Sequence, residues 1–217
     1  MSKNYPTIQD SLSAERLKSY LIATGHKLPD AMKLYEWNIT ISAAFYQLIA
    51  DVEVVIRNSI HRQFTIWNSE SNFGGQWYDN NHGLFDEKTM EKISKARNRL
   101  VEKKKVITPD AVIAQLSFGF WNYLLTTKYK TDFWPCVGRY SFPRLTEKQP
   151  KQLFKRVGHI WNLRNRIAHY EPIHTRKLDE DLNDCFEIIG AVCPVTCEWS
   201  KNRSKVELAL QERPLFA

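Results

Sequence analysis

One long run of regularly spaced apolar residues constrains the fold more than any other feature of the sequence. After Pro29, apolar side chains recur at intervals of three and four, at Ile41, Phe45, Leu48, Val52, Val55, Ile56 and Ile60. This spacing places them along one side of an α-helix. It predicts a helix that begins after Pro29 and continues to about Phe64.

Shorter helices are predicted on both sides of this segment, while no convincing run of alternating strand residues occurs. We predict helices from Ser13 to Gly25, from Asp86 to Lys104, from Thr108 to Leu124, from Thr146 to Tyr170 and from Leu178 to Pro194. Their starts carry cap residues, and several ends carry glycine or proline. Gln149 has capping-box spacing to Thr146. Residues 69–83 and 131–145 are predicted connections, and the tail segment KVELALQ could form one short strand. We therefore expect an all-α bundle at 29–217, with residues 1–28 as a helical extension packed on it.

The chain of 217 residues has a net charge of +7 and a pI near 9.2. Two clusters carry much of this charge, residues 92–105 and residues 148–166. Lysine and arginine bind polyanions by releasing counterions from phosphates, although a solvated helix face would also explain the first cluster. The polar start and the absence of a long uninterrupted apolar run predict a cytoplasmic protein without a membrane segment. The four cysteines lack zinc spacing and are expected to be reduced, in or near the core.

The segment at 161–173, WNLRNRIAHYEPI, carries the most informative polar residues. Arg164 falls in the centre of the apolar stripe of its helix, so it is either buried with a carboxylate partner such as Glu53 or faces a cleft that binds an anion. His169 lies in the last turn, where a histidine can simply complement the helix dipole. Both interpretations stay open on the residues alone.

A second polar group occurs on the long predicted helix. Glu53, Arg57 and His61 are spaced by four residues and share one face, and Asn58 follows Arg57 as Asn165 follows Arg164. An intrahelical pair between Glu53 and Arg57 would be the simplest explanation. Their position beside the apolar stripe instead predicts that they lie near other helices.

These residues resemble a known family. Residues 161–173 are similar to the HEPN ribonuclease motif in their arginine, the polar residue directly after it and the histidine beyond a four-residue gap. RNRIAHYEPI as a whole resembles the corresponding motif of Abi-like proteins. VEVVIRNSIHRQF at 52–64 and QLSFGFWNYLL at 115–125 resemble two further stretches in the family's order, so that the resemblance covers about residues 30–190. It implies a HEPN-like helical bundle that commonly dimerises to form one metal-independent RNase site, with Arg164, Asn165 and His169 catalytic.

Further expectations rest on this resemblance. Arg57, Asn58, His61 and Arg166 would bind substrate, and Trp77 or Tyr78 could stack on bases. Many relatives have a second histidine where this chain has Tyr170, which leaves the role of that position open.

The reaction expected from the resemblance uses the RNA 2′-hydroxyl as nucleophile and leaves a 2′,3′-cyclic phosphate. Histidine can move the proton, and arginine can hold the phosphate oxygens. We expect an RNA-cutting effector of phage defence or a toxin–antitoxin system, a homodimer without metal or cofactor, silenced by an RNA or protein antitoxin. The alternative is a non-catalytic HEPN module that binds RNA or protein. A metal-dependent hydrolase has little support, because no His-Glu-x-x-His helix is present.

Overall fold

The computed structural model describes residues 4–145 and 150–216, which form α-helices and no β-strand. This confirms the predicted all-α class. The α-helices, numbered α1 to α11, are Tyr5–Leu12, Ala14–Ala23, Leu28–Glu70, Glu87–Glu102, Pro109–Gln115, Phe118–Leu124, Arg139–Ser141, Lys151–Ala168, Leu178–Val192, Pro194–Arg203 and Val206–Gln211.

Helix α3 organises the bundle. Its 43 residues extend over about 64 Å, and it contains no glycine or proline after Pro29, so it continues six residues beyond the predicted end at Phe64. Its apolar stripe is buried from Ile41 to Phe64. Helices α2, α8, α9 and α11 pack against it, which makes α3 the core helix of the fold.

Helix α8 runs antiparallel to α3. The Asn38 side-chain oxygen, near the start of α3, accepts hydrogen bonds from the backbone N–H groups of Ile173 (2.8 Å) and His174 (3.1 Å), just after α8 ends. Glu53, four turns further along α3, lies within electrostatic range of Arg164, which is earlier in α8. The end of α8 is therefore fixed to the start of α3.

The first predicted helix is confirmed as α2. The Ser13 hydroxyl caps it by accepting from the Arg16 N–H at 3.3 Å, and Leu17 and Tyr20 are buried. Asp86 and Thr108 also cap α4 and α5 as expected. The cap predicted at Thr146 and Gln149 lies outside the described residues.

Two local predictions within residues 108–145 are wrong. The helix predicted from Thr108 to Leu124 is two helices, because Leu116 adopts an extended conformation and a new helix begins after Ser117. The connection predicted at 131–145 contains a π-helical turn, Trp134–Gly138, followed by α7. Pro135 is accommodated in its first turn, where a missing N–H costs no hydrogen bond.

The tail segment is helix α11 and not a strand. Val206 and Ala209, one turn apart, are buried. The Ala209 carbonyl accepts a 2.6 Å hydrogen bond from the Trp37 indole of α3. Packing against a neighbouring helix favours helical periodicity, and the described residues offer no strand with which the tail could pair.

By length and composition alone, α3 is the one described helix that could cross a bilayer, with an apolar window of mean hydropathy 1.6 that is 33% buried. A core helix has the same properties, and α3 packs against several neighbours. The four cysteines are free, and Cys185 and Cys197 are buried.

Candidate active site

Arg164 lies on the core-facing side of α8 without being fully buried. The helix buries Leu153, Val157, Ile160, Leu163 and Ile167, and Arg164 falls between these residues on an ideal helix. Its side chain is nevertheless half-buried. Among residues 4–145 and 150–216, no carboxylate oxygen lies within 4.0 Å of the Arg164 guanidinium, which is the distance of an ion pair. Arg164 is therefore partly accessible to solvent, and its charge has no contacting carboxylate.

Glu53 carries a negative charge within electrostatic range of Arg164 and has a second structural role. Burial raises the pKa of its carboxyl group, and the charges of Arg164 and Arg57 partly offset this effect. The carboxylate also accepts a hydrogen bond from the backbone N–H of Phe118, in the first turn of α6. The Ser117 side chain makes no capping hydrogen bond, so Glu53 caps α6 from another helix. This cap explains why a new helix starts at Phe118.

Arg57 and Asn58 contact each other on α3. Arg57 Nε donates to Asn58 Oδ1 at 3.1 Å, and Asn58 is exposed. Arg57 and Arg164 both lower the pKa of Glu53, so the structure brings two arginines of the predicted site to one carboxylate.

His61 is held by a buried aromatic residue. Its Nδ1 accepts a 2.9 Å hydrogen bond from Trp77 Nε1, so a neutral ring carries its proton on Nε2. Burial lowers the pKa of His61, the charge of Asp110 raises it and that of Arg57 lowers it. The histidine is therefore kept neutral beside Arg57.

Trp77 and Tyr78 are not the exposed stacking platforms that the sequence suggested. They are 1% and 4% exposed. Trp77 stacks on Phe64 with ring centroids 4.6 Å apart, and the Arg97 guanidinium lies 5.0 Å from the Tyr78 ring centroid. The polar composition of the surrounding connection concealed this aromatic cluster, so the prediction that they stack on bases is wrong.

Helix α8 ends in a tight turn that exposes His169. The Tyr170 N–H donates to the Ile167 carbonyl at 3.0 Å, and the Glu171 N–H donates to the Arg166 carbonyl at 2.8 Å. These two hydrogen bonds at the end of the helix require a residue in the left-handed conformation, and Tyr170 adopts it with φ +57°. His169 is exposed, and within the described part of the chain its side chain has no hydrogen-bond partner.

Asn165 and Arg166 support this turn. The Asn165 carbonyl accepts from the His169 N–H at 2.9 Å. Arg166 Nη2 donates to the Pro172 carbonyl at 2.8 Å, and its Nε lies 3.5 Å from a Glu171 carboxylate oxygen. Arg166, predicted to bind substrate, thus has its guanidinium engaged by the chain itself.

Arg164 and His169 do not converge within one chain. Five residues of helix separate them by about 7.5 Å along the axis and about 140° around it. Electrostatic contacts link Arg164 and Arg57 to Glu53, and Arg57 also contacts Asn58 and acts on His61, whereas the His169 side chain takes part in none of these contacts among the described residues.

A cavity and an apolar stripe lie beside the end of α8. The cavity, about 590 Å³, lies between α2, α3 and α8 and includes Tyr20, Tyr46, Ala168 and Tyr170 in its wall. On α3, five exposed residues follow helical spacing: Ile39 (53% exposed), Ala43, Tyr46 (56%), Ala50 and Val54. We call these five residues the α3 apolar stripe. Sequence analysis missed it, although the spacing at intervals of three and four was readable beside the core stripe.

Within residues 4–145 and 150–216, no group of three or more histidine, cysteine, aspartate or glutamate side chains could hold a metal ion.

Comparison with protein families gives one match, to the family described as Abi-like protein, over residues 5–175. The match includes α1 and α2 as well as the motif on α8. No curated protein and no solved structure matches the chain.

Proposed function

Because the chain belongs to the family of Abi-like proteins, we propose that it acts in phage defence by abortive infection or as the toxin of a toxin–antitoxin pair. In this proposal it is a HEPN-type endoribonuclease that needs no metal. An antitoxin, either RNA or protein, keeps it silent in the absence of infection.

The state of Arg164 is the observation that carries this proposal. An arginine on the core-facing side of a helix normally pairs with a carboxylate, because an unpaired buried charge is costly. Arg164 is instead partly exposed, it acts with Arg57 on the charge of Glu53, and Glu53 lies beyond ion-pair distance. Two guanidinium groups beside one carboxylate leave a net positive charge, which suits a phosphate group of RNA.

The reaction we propose is a phosphoryl transfer within the RNA strand. The 2′-oxygen forms a bond to the adjacent phosphorus while the bond from phosphorus to the 5′-oxygen breaks. The products are a 2′,3′-cyclic phosphate and a 5′-hydroxyl. His169 accepts the proton of the 2′-hydroxyl, water gives a proton to the leaving 5′-oxygen, and Arg164 stabilises the negative charge on the phosphate.

A complete site needs a second copy of the chain in this proposal. Arg164 and His169 lie on different sides of α8, so one chain does not place both at the same phosphate. The α3 apolar stripe, beside the exposed end of α8, supplies a surface for a symmetric homodimer. Pairing there would bring His169 of the partner subunit towards Arg164 of the first chain, where it would act as the base.

A non-catalytic RNA- or protein-binding module is the second candidate function. The observation that favours it is the state of His169, which has no described group to orient its ring. Catalytic histidines are usually oriented by a hydrogen bond to a second group. In this case Arg164 would bind phosphate without cleavage.

The test compares the purified wild type with Arg164→Ala and His169→Ala on labelled RNA in the presence of a chelator. Arg62→Ala, exposed on α3, and His159→Ala, paired with Asp184 at 3.2 Å, are matched controls. The proposal expects cleavage to a cyclic phosphate in the wild type and both controls, and none in the two site variants although they fold. Binding without cleavage by the wild type, both controls and His169→Ala, with weaker binding by Arg164→Ala, supports the second candidate.

A further inference from the structure

Helix α4 carries a row of cations along one side. Lys88, Lys92, Lys95 and Arg99 follow one another at intervals of four, three and four residues, so that one cation occurs in each turn. They lie within about 40° of a common line along the helix. The buried face, with Thr89, Ile93, Ala96 and Leu100, lies about 100° around the helix from this line. We call these four residues the α4 cation stripe.

The charges of the α4 cation stripe are largely uncompensated. Lys95 pairs with Glu91 at 2.6 Å, while Lys88, Lys92 and Arg99 have no carboxylate within ion-pair distance among the described residues. Burial lowers the pKa of Lys92, the positive charge of Lys88 lowers it further, and the negative charge of Asp86 raises it in part. Like charges one turn apart destabilise a helix. A bound polyanion would neutralise this repulsion.

The α4 cation stripe reaches the region of Arg164 through the first turn of α6. Lys92 Nζ donates to the Gly119 carbonyl at 3.3 Å. Gly119 packs on α8 so closely that a Cβ there would lie 3.2 Å from Trp161 Nε1, and Trp161 precedes Arg164 by one turn. On the other side, the neighbouring Phe118 N–H binds Glu53. A strand bound at Arg164 therefore needs to cross only the start of α6 to reach Lys92.

An aromatic ring stands beside the α4 cation stripe. The ammonium groups of Lys92 and Lys88 lie 4.4 Å and 5.1 Å from the ring centroid of Tyr123 in α6. The Tyr123 hydroxyl donates to Asp86 at 3.0 Å, which fixes the orientation of the ring. Cations in a row next to aromatic rings are the combination by which proteins bind single-stranded nucleic acid without reading its sequence.

From these contacts we infer that the α4 cation stripe binds the phosphates of single-stranded RNA that extends from the bond held at Arg164. The inference rests on the proposed function and adds its substrate class, a single strand longer than the cleaved dinucleotide. Recognition by phosphate contacts predicts little dependence on base sequence along this part of the strand.

The test uses the full chain with Lys88→Gln, Lys95→Gln and Arg99→Gln combined, which leaves Lys92 and its contact with α6 intact. The matched control combines Lys33→Gln, Lys201→Gln and Lys205→Gln, which removes the same charge from exposed positions outside both basic clusters and includes one paired lysine, Lys33 with Asp30. Binding is measured by fluorescence anisotropy against salt concentration. The probe is a long single-stranded RNA with methylated 2′-hydroxyls, which cannot be cut by 2′-oxygen attack.

We expect the stripe variant to bind about tenfold more weakly at physiological salt and its logarithmic salt slope to fall by about 2, since each lost contact with a single strand removes about 0.7. The control should retain the wild-type slope. Equal losses in both variants, an unchanged stripe variant, a preference for duplex RNA, or a wild type that does not bind would each overturn the inference.

Cleavage separates this inference from the proposed function. If the chain cuts RNA, the stripe variant should lose activity on a long strand and keep wild-type activity on a dinucleotide. If no protein cuts RNA but the binding difference persists, the proposed reaction fails while the inferred binding surface stands. Equal cleavage of the long strand by the stripe and control variants would remove the stripe from the RNA path.

Discussion

Replacing Arg164 with methionine distinguishes a phosphate-binding arginine from a structural one. Arg164 has no contacting carboxylate, and Glu53 retains both the charge of Arg57 and the Phe118 N–H when Arg164 is removed. Methionine also fits the apolar stripe of α8. We therefore expect a loss of at most about 1 kcal/mol in the free energy of unfolding, whereas removing one partner of a buried ion pair costs about 3–5 kcal/mol.

The measurement is chemical and thermal unfolding, in which 1 kcal/mol corresponds to a Tm change of about 2–4 °C for a chain of this size. Arg176→Met is the matched control. Its guanidinium makes two hydrogen bonds, of 2.8 Å and 2.5 Å, to Asp181, which is only 4% exposed. This substitution should cost about 3 kcal/mol, because it leaves a buried carboxylate without its partner.

A double-mutant cycle refines the test. Arg164→Met combined with Glu53→Gln should show a coupling energy below about 0.5 kcal/mol, as expected for groups not in contact. The pKa of Glu53 should rise in Arg164→Met, because the charge of Arg164 lowers it. A loss from Arg164→Met as large as that from Arg176→Met, with strong coupling to Glu53, would refute the reasoning and assign Arg164 a structural role.

Three further predictions concern stability and assembly. Burial lowers the pKa of His61, His82 and His174 from 6.5. Their contribution to stability is therefore complete above about pH 6.5 and is lost as the pH falls towards their pKa values in the folded state. A Tm that stays constant between neutral pH and about pH 5 would contradict this. Tyr170→Gly should stabilise the chain by about 0.5–1 kcal/mol in urea unfolding, because relief of the left-handed strain outweighs the entropy of glycine, and equal or lower stability would be inconsistent with strain at this turn. Ala50→Arg, at the centre of the α3 apolar stripe, should give a monomer in light scattering that has lost RNA cleavage while its Tm is unchanged; a persistent dimer, or a monomeric wild type, argues against this interface.

The fold was predictable where local chemistry and periodicity agree. The stripe of α3 and the caps at Ser13, Asp86 and Thr108 gave the positions of helices α2 to α5. The break before α6 was not predictable, because its cap is the Glu53 carboxylate from a distant part of the chain. The same holds for α11, whose helical state depends on packing against Trp37.

In the candidate site, too, the sequence predicted features that depend on local spacing and missed those that depend on tertiary contacts. Sequence spacing correctly placed Arg164 at the centre of a stripe and Arg57 on the same face as Glu53. It could not distinguish an ion pair from an open cleft, since that difference is a matter of distance between helices. The engagement of Arg166 with Pro172 and the burial of Trp77 are likewise tertiary contacts that no local pattern specifies.

The most direct measurement of the central claim compares two RNA strands that differ by one oxygen atom. The first is a labelled RNA with a mapped cleavage position, and the second has a single 2′-deoxynucleotide on the 5′ side of that bond. We predict that the wild type, in chelator, cuts the first strand to a 2′,3′-cyclic phosphate and binds the second with similar affinity without cutting it there. Cleavage of the deoxy-substituted bond, or products with a 3′-hydroxyl and a 5′-phosphate, would contradict attack by the 2′-hydroxyl.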